Sequence, residues 1–171
     1  MMKKTRILQK LKDSNPIRIL FNCSGNIMRS AYGEIMFEKM LKDKYVRKTK
    51  ILCESGGVIY HNDSIAYETK RILLEQGVPR ERIKQFRSRH IDDHPEAFES
   101  ADLILTMTKE HLPYLKHLEE KTFLLNDFAF NEKTDIADPF FSGRAHESFA
   151  EVKKALEQMI IIFEKEGILP K

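Results

Sequence analysis

The sequence predicts an α/β domain, a three-layer sandwich with a central, mostly parallel four-stranded sheet and helices on both faces. Three observations point to it. Short apolar runs with β-branched residues alternate with stretches whose apolar residues recur at helical spacing. That alternation implies a parallel sheet with helices packed on it. The chain has 171 residues, 42% hydrophobic and 32% charged, which suits one domain able to bury a sizeable core. No internal repeat, low-complexity tract or second domain interrupts it.

Taken in order, residues 1–16 form a basic N-terminal extension to a single domain at 17–171. Within the extension, residues 3–12 have helical spacing, with Ile7, Leu8 and Leu11 on one side. The reading preferred is a helix packed on the domain or a partly ordered tail, because the charge run is short; the other is contact with an acidic partner or lipid surface. Residues 17–21 are the first strand, and from Ser30 a helix places Ile35, Phe37, Met40 and Leu41 together. Residues 50–53 are the second strand. Residues 64–76 are a helix with Ile65, Ala66, Ile72 and Leu73 on one face, ended by Gly77 and Pro79. A brief strand is expected at 83–86, a short helix or turn at 95–100, an apolar strand at 103–107, a helix at 109–117 and a weaker strand at 122–125. A helix at 149–165 closes the chain, with Val152, Leu156, Met159, Ile160 and Phe163 inward.

The chemistry is concentrated between the first strand and its helix, in CSGNIMR. A tight loop there points successive backbone N–H groups inward, an anion cradle at a helix N-terminus. Cys23 at its base would be held as thiolate by those dipoles and by Arg29. The Arg29 fork suits two oxygens of a phosphate. Gly25 tolerates close approach of backbone to ligand, and Asn26 suits a left-handed position. A thiolate facing a clamped phosphate is the arrangement for phosphoryl transfer through a cysteinyl-phosphate. The bland alternative is an ordinary βα turn with an inert, buried cysteine. The second requirement is a proton donor for the leaving oxygen. Asp138, Asp135 and Asp127 are all candidates on chemistry alone; Asp138 precedes Pro139, which holds it in extended backbone.

The segment ILFNCSGNIMRS resembles the phosphate loop of the low-molecular-weight protein tyrosine phosphatases, a strand followed by C-x-G-N-x-C-R-S. Downstream, ILCESGG resembles the family's second strand and Ser-Ala-Gly turn, FESADLILTMTKEHLPYL its fourth strand and following helix, and DIADPFFSG its Asp-Pro-Tyr-Tyr loop. The resemblance covers nearly the whole chain from Ile17. It implies that Cys23 is the nucleophile, Arg29 the phosphate clamp and Asp138 the general acid. It also implies that Ser24, Gly25, Asn26, Ile27, Met28 and Ser30 surround the phosphate, with Ser30 donating a hydrogen bond to the Cys23 sulfur. Asn26 would hold the loop with its side chain anchored by Ser55. Phe140 and Phe141, where the family usually has two tyrosines, would wall a slot for a phenyl ring, opposite the loop around Tyr60 and His61; core packing is nearly as good a reading of Phe141.

Departures from the family pattern are few. Met28 stands where a second cysteine often precedes the arginine. Cys53 reads as a buried core thiol. A histidine usual near Phe86 and an aspartate usual at Thr108 are absent, which questions the loop's support network.

These readings imply a cytoplasmic, metal-independent phosphomonoesterase acting on phosphotyrosine in proteins or on small aryl phosphates, with no cofactor. Arginine-phosphatase relatives tend to carry Thr at the position of Ile27, so the bulkier Ile27 favours tyrosine over phosphoarginine. An arsenate reductase on the same scaffold would need further cysteines. A catalytically silent phosphopeptide-binding module is the alternative from another class. The formal charge of +3 suits an anionic substrate, and no motif argues for nucleic acid. No apolar run is long enough to span a membrane, and the N-terminus lacks the apolar h-region of a secretory signal. Two cysteines give no disulfide framework and suggest a reducing compartment. Oligomeric state is not legible.

Overall fold

Six of the seven residues in IRILFNC are buried, and a strand buried on both faces needs a neighbour at each edge and a layer above and below. The computed structural model, which describes residues 2–171, supplies all four. This strand, β1 (Ile17–Cys23), follows α1 (Met2–Asp13). After it come α2 (Arg29–Lys44), β2 (Ile51–Gly57), α3 (Tyr67–Glu75), α4 (Arg80–Gln85), α5 (Pro95–Glu99) and β3 (Leu103–Thr106). A 3-10 segment (Lys109–Lys121), β4 (Thr122–Leu124), α6 (Leu125–Phe130), α7 (Pro139–Ser142) and α8 (Ala145–Lys165) complete the chain. The sheet order is β2-β1-β3-β4, with every pair parallel.

Side-chain alternation sorts the core into two layers. Ile17, Ile19, Phe21, Leu103 and Leu105 face the larger one, with α2 and α8. Leu20 and Ile104 face the smaller, with Phe98, Leu115 and Leu118. Aromatic rings tie the larger layer together: Tyr32 stacks on Phe149 at 4.6 Å, and Phe37 meets Phe21 and Phe163 edge-on. α1 buries Ile7, Leu8 and Leu11. Lys50 Nζ donates to Lys12 O beside the start of β2, and Lys3 Nζ donates to Thr122 O at the start of β4. This helix therefore runs beneath the amino ends of the strands, away from the loop between Cys23 and Arg29. Met1, the first residue of the extension, lies outside the described residues.

Several elements differ from expectation. The strand expected at 83–86 is α4. Ile83 and Phe86 are three apart and both buried, a helical rather than a strand spacing. Arg82 then reaches α2, 2.7 Å from Glu34 and 2.9 Å from Glu38. Residues 109–121 wind as a 3-10 segment with Pro113 inside and non-helical backbone at Leu115 and Leu118, because proline lacks the N–H that an α-helix needs there. The strand expected at 122–125 ends at Leu124 and hands over directly to α6. α8 begins at Ala145, four residues before the expected start.

Candidate active site

β1 has β2 on one side and β3 on the other, so the crevice at its carboxyl end is a topological switch point, the usual place for a ligand in an open α/β sheet. Cys23 is its last residue and Arg29 the first of α2. The loop between them is held from outside. Ser24 O accepts the N–H groups of Ile59 and Tyr60, each at 3.0 Å. Gly25 O accepts Asn62 Nδ2–H at 3.0 Å, and Asn26 O accepts the Ser88 hydroxyl at 2.7 Å. Ile27 O accepts from Ala66 N and Thr69 Oγ1. With four consecutive carbonyls turned outward, the opposite edges of those peptides face the cavity and form a nest of N–H groups. Gly57 makes the close fit possible: a Cβ there would lie 2.9 Å from Ser24 O and 3.1 Å from Gly25 C.

Asn26 has φ 56° and is fully buried. Its Oδ1 accepts Arg89 N–H at 2.9 Å, so its Nδ2–H faces Ser30 Oγ, also at 2.9 Å. Ser30 Oγ lies 2.9 Å from Cys23 Sγ. Because the serine oxygen already accepts from Asn26, its own proton is directed at the sulfur, and a donor on sulfur favours the thiolate.

Arg29 is 1% exposed. Its Nη1 donates to Ile136 O at 2.8 Å, and its Nη2 lies 3.3 Å from Asp138 Oδ2. Asp138 caps α7, its Oδ1 accepting from Phe140 N, which turns Oδ2 toward Arg29. The rival carboxylates are elsewhere. Asp135 Oδ1 accepts from Lys109 N, and Asp127 lines a different cleft with Lys3 and Lys4.

A cavity of about 420 Å³ is lined by Cys23, Ser24, Gly25, Ile27, Met28, Arg29, Tyr60, His61, Asn62, Asp138, Phe140 and Phe141. Phe140 and Phe141 are each 74% exposed and pack edge-on; both are rim residues, so core packing does not explain Phe141. Tyr60 and His61 line the same cavity. Asn26 and Ser30 sit behind the loop rather than in the cavity.

One expected contact is absent. Ser55 does not anchor Asn26; its hydroxyl donates to Glu34 Oε1 at 2.8 Å. Glu34 is buried, and its carboxyl is pushed up by burial, opposed by its bonds to Arg82 and Ser55. A buried carboxylate attracts any nearby donor, and Ser55 is taken by it. Asn26 is instead held by Arg89, with Ser88 gripping the same peptide. His111 was also missed. It is fully buried, its Nε2 2.8 Å from Ser24 Oγ and its Nδ1 3.0 Å from Thr106 Oγ1. Burial, reinforced by the Arg29 charge, pushes its pKa down to about 3, so it is a neutral strut under the loop. Ser88 and Arg89 belong to no recognisable local motif, whereas His111 closes a capping box with Thr108 at the start of residues 109–121.

Cys53 pairs with Ile19 while Cys23 pairs with Gly57, so the thiols are four strand residues apart, about 13 Å, beyond disulfide reach. Burial, with Glu34 and Glu38 nearby, holds the Cys53 thiol well above its usual range. His61, which lines the cavity, stacks on His90 at 3.7 Å, and Asp92 lies beside both.

Residues 18–166 match the family model described as low molecular weight phosphotyrosine protein phosphatase. A protein-arginine-phosphatase of Geobacillus stearothermophilus is 30% identical over 151 residues, 85% of this chain and 92% of that one. A low molecular weight protein-tyrosine-phosphatase, PtpB, of Staphylococcus haemolyticus is 28% identical, covering 87% and 96%. The crystal structure of YfkJ from Bacillus subtilis superposes with a TM-score of 0.78 at 24% identity, over 90% of this chain and 98% of that one, which speaks to the fold.

Proposed function

Since the chain belongs to the low molecular weight phosphotyrosine protein phosphatase family, we propose that it hydrolyses phosphotyrosine in proteins, or small aryl phosphates, through a cysteinyl-phosphate. The observation that carries this is a sulfur 2.9 Å from a serine hydroxyl oxygen, in the same cavity as a buried arginine and a capped aspartate. The phosphate occupies the nest of N–H groups, and its oxygens take the Arg29 fork in place of Asp138. The Cys23 thiolate attacks phosphorus in line. As the P–O bond to tyrosine breaks, Asp138 gives its proton to the phenolate oxygen. Water then attacks the phosphocysteine, Asp138 takes its proton, and inorganic phosphate leaves with Cys23 again a thiolate. The cradle and Arg29 supply the charge stabilisation that a metal provides elsewhere. Phe140 and Tyr60 flank the departing ring.

The identity to an arginine phosphatase keeps phosphoarginine as a second reading. Ile27, which lines the cavity, weighs toward the aryl substrate. The cytoplasm, where two unpaired thiols persist, is the proposed compartment. The test assays phosphotyrosine and phosphoarginine peptides with excess chelator, for the unaltered chain, Cys23→Ser and Arg29→Lys. Turnover of phosphotyrosine should be the faster, and both variants nearly inactive while folded. More than a few per cent of turnover in Cys23→Ser removes the cysteinyl-phosphate; faster phosphoarginine turnover reverses the substrate assignment.

A further inference from the structure

Residues 131–138 connect the active-site cavity to a second cleft. Asp138 ends this segment at the cavity, and Ile136 O accepts from Arg29 Nη1 at 2.8 Å. Toward the other end, Asp135 Oδ1 accepts Lys109 N–H at 2.9 Å, and Asn131 Oδ1 lies 3.5 Å from Lys4 Nζ. Lys4, Lys109, Asn131 and Lys133 all line a cleft of about 770 Å³ between α1, the 3-10 segment and α6.

Charge is concentrated there. Lys3, Lys4, Lys109, Lys116 and Lys133 share the cleft with two carboxylates, Glu119 and Asp127. Five lysines against two carboxylates leave an excess of three, equal to the formal charge of +3 on the whole chain, so the rest of the molecule is balanced. Lys12, Lys39, Lys42 and Lys44 are paired with carboxylates, whereas none of these five makes an ion pair among the described residues. Lys3 and Lys4 are half-buried. Their Nζ atoms donate to Thr122 O and Phe128 O, each at 2.5 Å, and lie over the Phe123 and Phe128 rings. Burial pushes both pKa values down despite the nearby acids, so a bound anion would favour their charged forms. Lys109, Lys116 and Lys133 are exposed at the rim, with ammonium donors left for a ligand.

We propose that this cleft docks an acidic segment of the phosphoprotein substrate, an inference that rests on the phosphatase reading. Leu112, Pro113 and Phe123 line it beside the lysines, which suits a peptide whose carboxylates are interleaved with apolar side chains. A nucleic acid fits less well. No arginine lines the cleft to fork a phosphate, and Glu119 and Asp127 repel a backbone charged at every unit. Lys133 and Asp138 are five residues apart in the chain, a span of at most about 18 Å, so one substrate reaches both sites. Docking there raises the local concentration of phosphotyrosine at Cys23 and takes no part in the chemical step.

The probe is a phosphotyrosine peptide joined to a tail of alternating Glu and Leu by a Gly/Ser linker of about 12 residues, with a mean span of about 19 Å. It is compared with the same peptide carrying Gln for Glu, and with a small aryl phosphate. The proteins are the unaltered chain, Lys116→Glu combined with Lys133→Glu, and Lys84→Glu, which alters an exposed lysine on α4 outside the cleft. The acidic tail should lower KM about tenfold or more at low salt, with kcat unchanged. The double reversal should abolish that gain and Lys84→Glu should keep it, while all three proteins hydrolyse the aryl phosphate alike. Isothermal titration of the unphosphorylated tail peptide into Cys23→Ser should give one site per chain, lost on adding the double reversal. No gain from the acidic tail, or a gain that survives the reversal, overturns the inference, as does tighter binding of a single-stranded oligonucleotide of equal charge. Tail binding in a chain that leaves aryl phosphate intact strikes the phosphatase reading, and with it the assignment of the tail to a substrate.

Discussion

At the residue scale the site is a chain of directed protons. Arg89 N–H points at Asn26, Asn26 at Ser30, and Ser30 at the Cys23 sulfur. Each link fixes the orientation of the next, so the last hydroxyl has one direction left. Hydrogen bonds to charged groups contribute about 1.5–3 kcal/mol, so Ser30→Ala should lower kcat/KM about ten- to a hundredfold. The rate of Cys23 alkylation by iodoacetamide should fall with it. An unchanged alkylation rate would show that the hydroxyl does not support the thiolate. Asp138 yields a second expectation. A tyrosine leaving group has a conjugate acid of pKa about 10 and needs a proton as it departs, help worth about 10²–10⁴-fold; an electron-poor phenol leaves unaided. Asp138→Asn should steepen the dependence of rate on leaving-group pKa across a series of aryl phosphates. If the slope steepens instead in Asp135→Asn or Asp127→Asn, the acid is one of those residues.

At the scale of elements, the phosphate loop depends on how β2 ends. Gly57 lies against Ser24, Gly25 and Asn26, and Gly57→Ala would push the loop backbone away by several tenths of an ångström. Misplacement approaching 1 Å costs about 10²-fold in well-positioned sites. Turnover should therefore fall by one to two orders of magnitude, while competitive inhibition by phosphate weakens in parallel. Phosphate inhibition that is unchanged in the variant would mean the loop tolerates the methyl. α1 works at the other end of the strands. Leu11 is fully buried there, and large-to-small core substitutions cost about 2–5 kcal/mol. Urea denaturation of Leu11→Ala should register a loss in that range with little effect on KM. A loss below about 0.5 kcal/mol, the level of surface substitutions, would mean that α1 adds little to the core.

At the scale of the whole molecule, acid sensitivity follows from His111. Burial lowers its pKa to about 3 against about 6.5 for an unfolded histidine. Between those values the unfolded chain binds the extra proton, so stability rises with pH across the window and is lost as pH falls from about 6.5 toward 3. The slope from this one group approaches about 1.4 kcal/mol per pH unit. His111→Gln, which keeps a hydrogen-bonding side chain but not the titration, should flatten the stability profile between pH 6 and pH 4 by about that amount. Coincident slopes for the two proteins would show that His111 is not held neutral by the fold.

Much of this molecule was legible in its sequence because the decisive contacts are local. CSGNIMRS places sulfur, glycine, a left-handed asparagine, arginine and serine within eight residues, and a strand before and a helix after leave that loop few shapes. Alternating apolar runs were enough to indicate a parallel sheet covered on both faces, since burial there requires both periodicities, but not its strand order. Tertiary structure decided what depends on long-range partners. Ser88 and Arg89 reach the loop from more than 60 residues away and His111 from 87, with no periodicity to announce them. Ser55 was drawn off by a buried carboxylate whose burial only packing could reveal, and residues 80–85 became a helix with Arg82 reaching Glu34. The three aspartates were alike in chemistry, and only Pro139 and the family resemblance favoured Asp138; their bonds differ: Asp135 bonds the Lys109 amide, Asp127 lines a lysine cleft, and Asp138 caps α7 with its other oxygen turned to Arg29. A sequence carries the local geometry of a loop, but the direction of each hydrogen bond behind it is settled by which donors and acceptors the fold leaves unpaired.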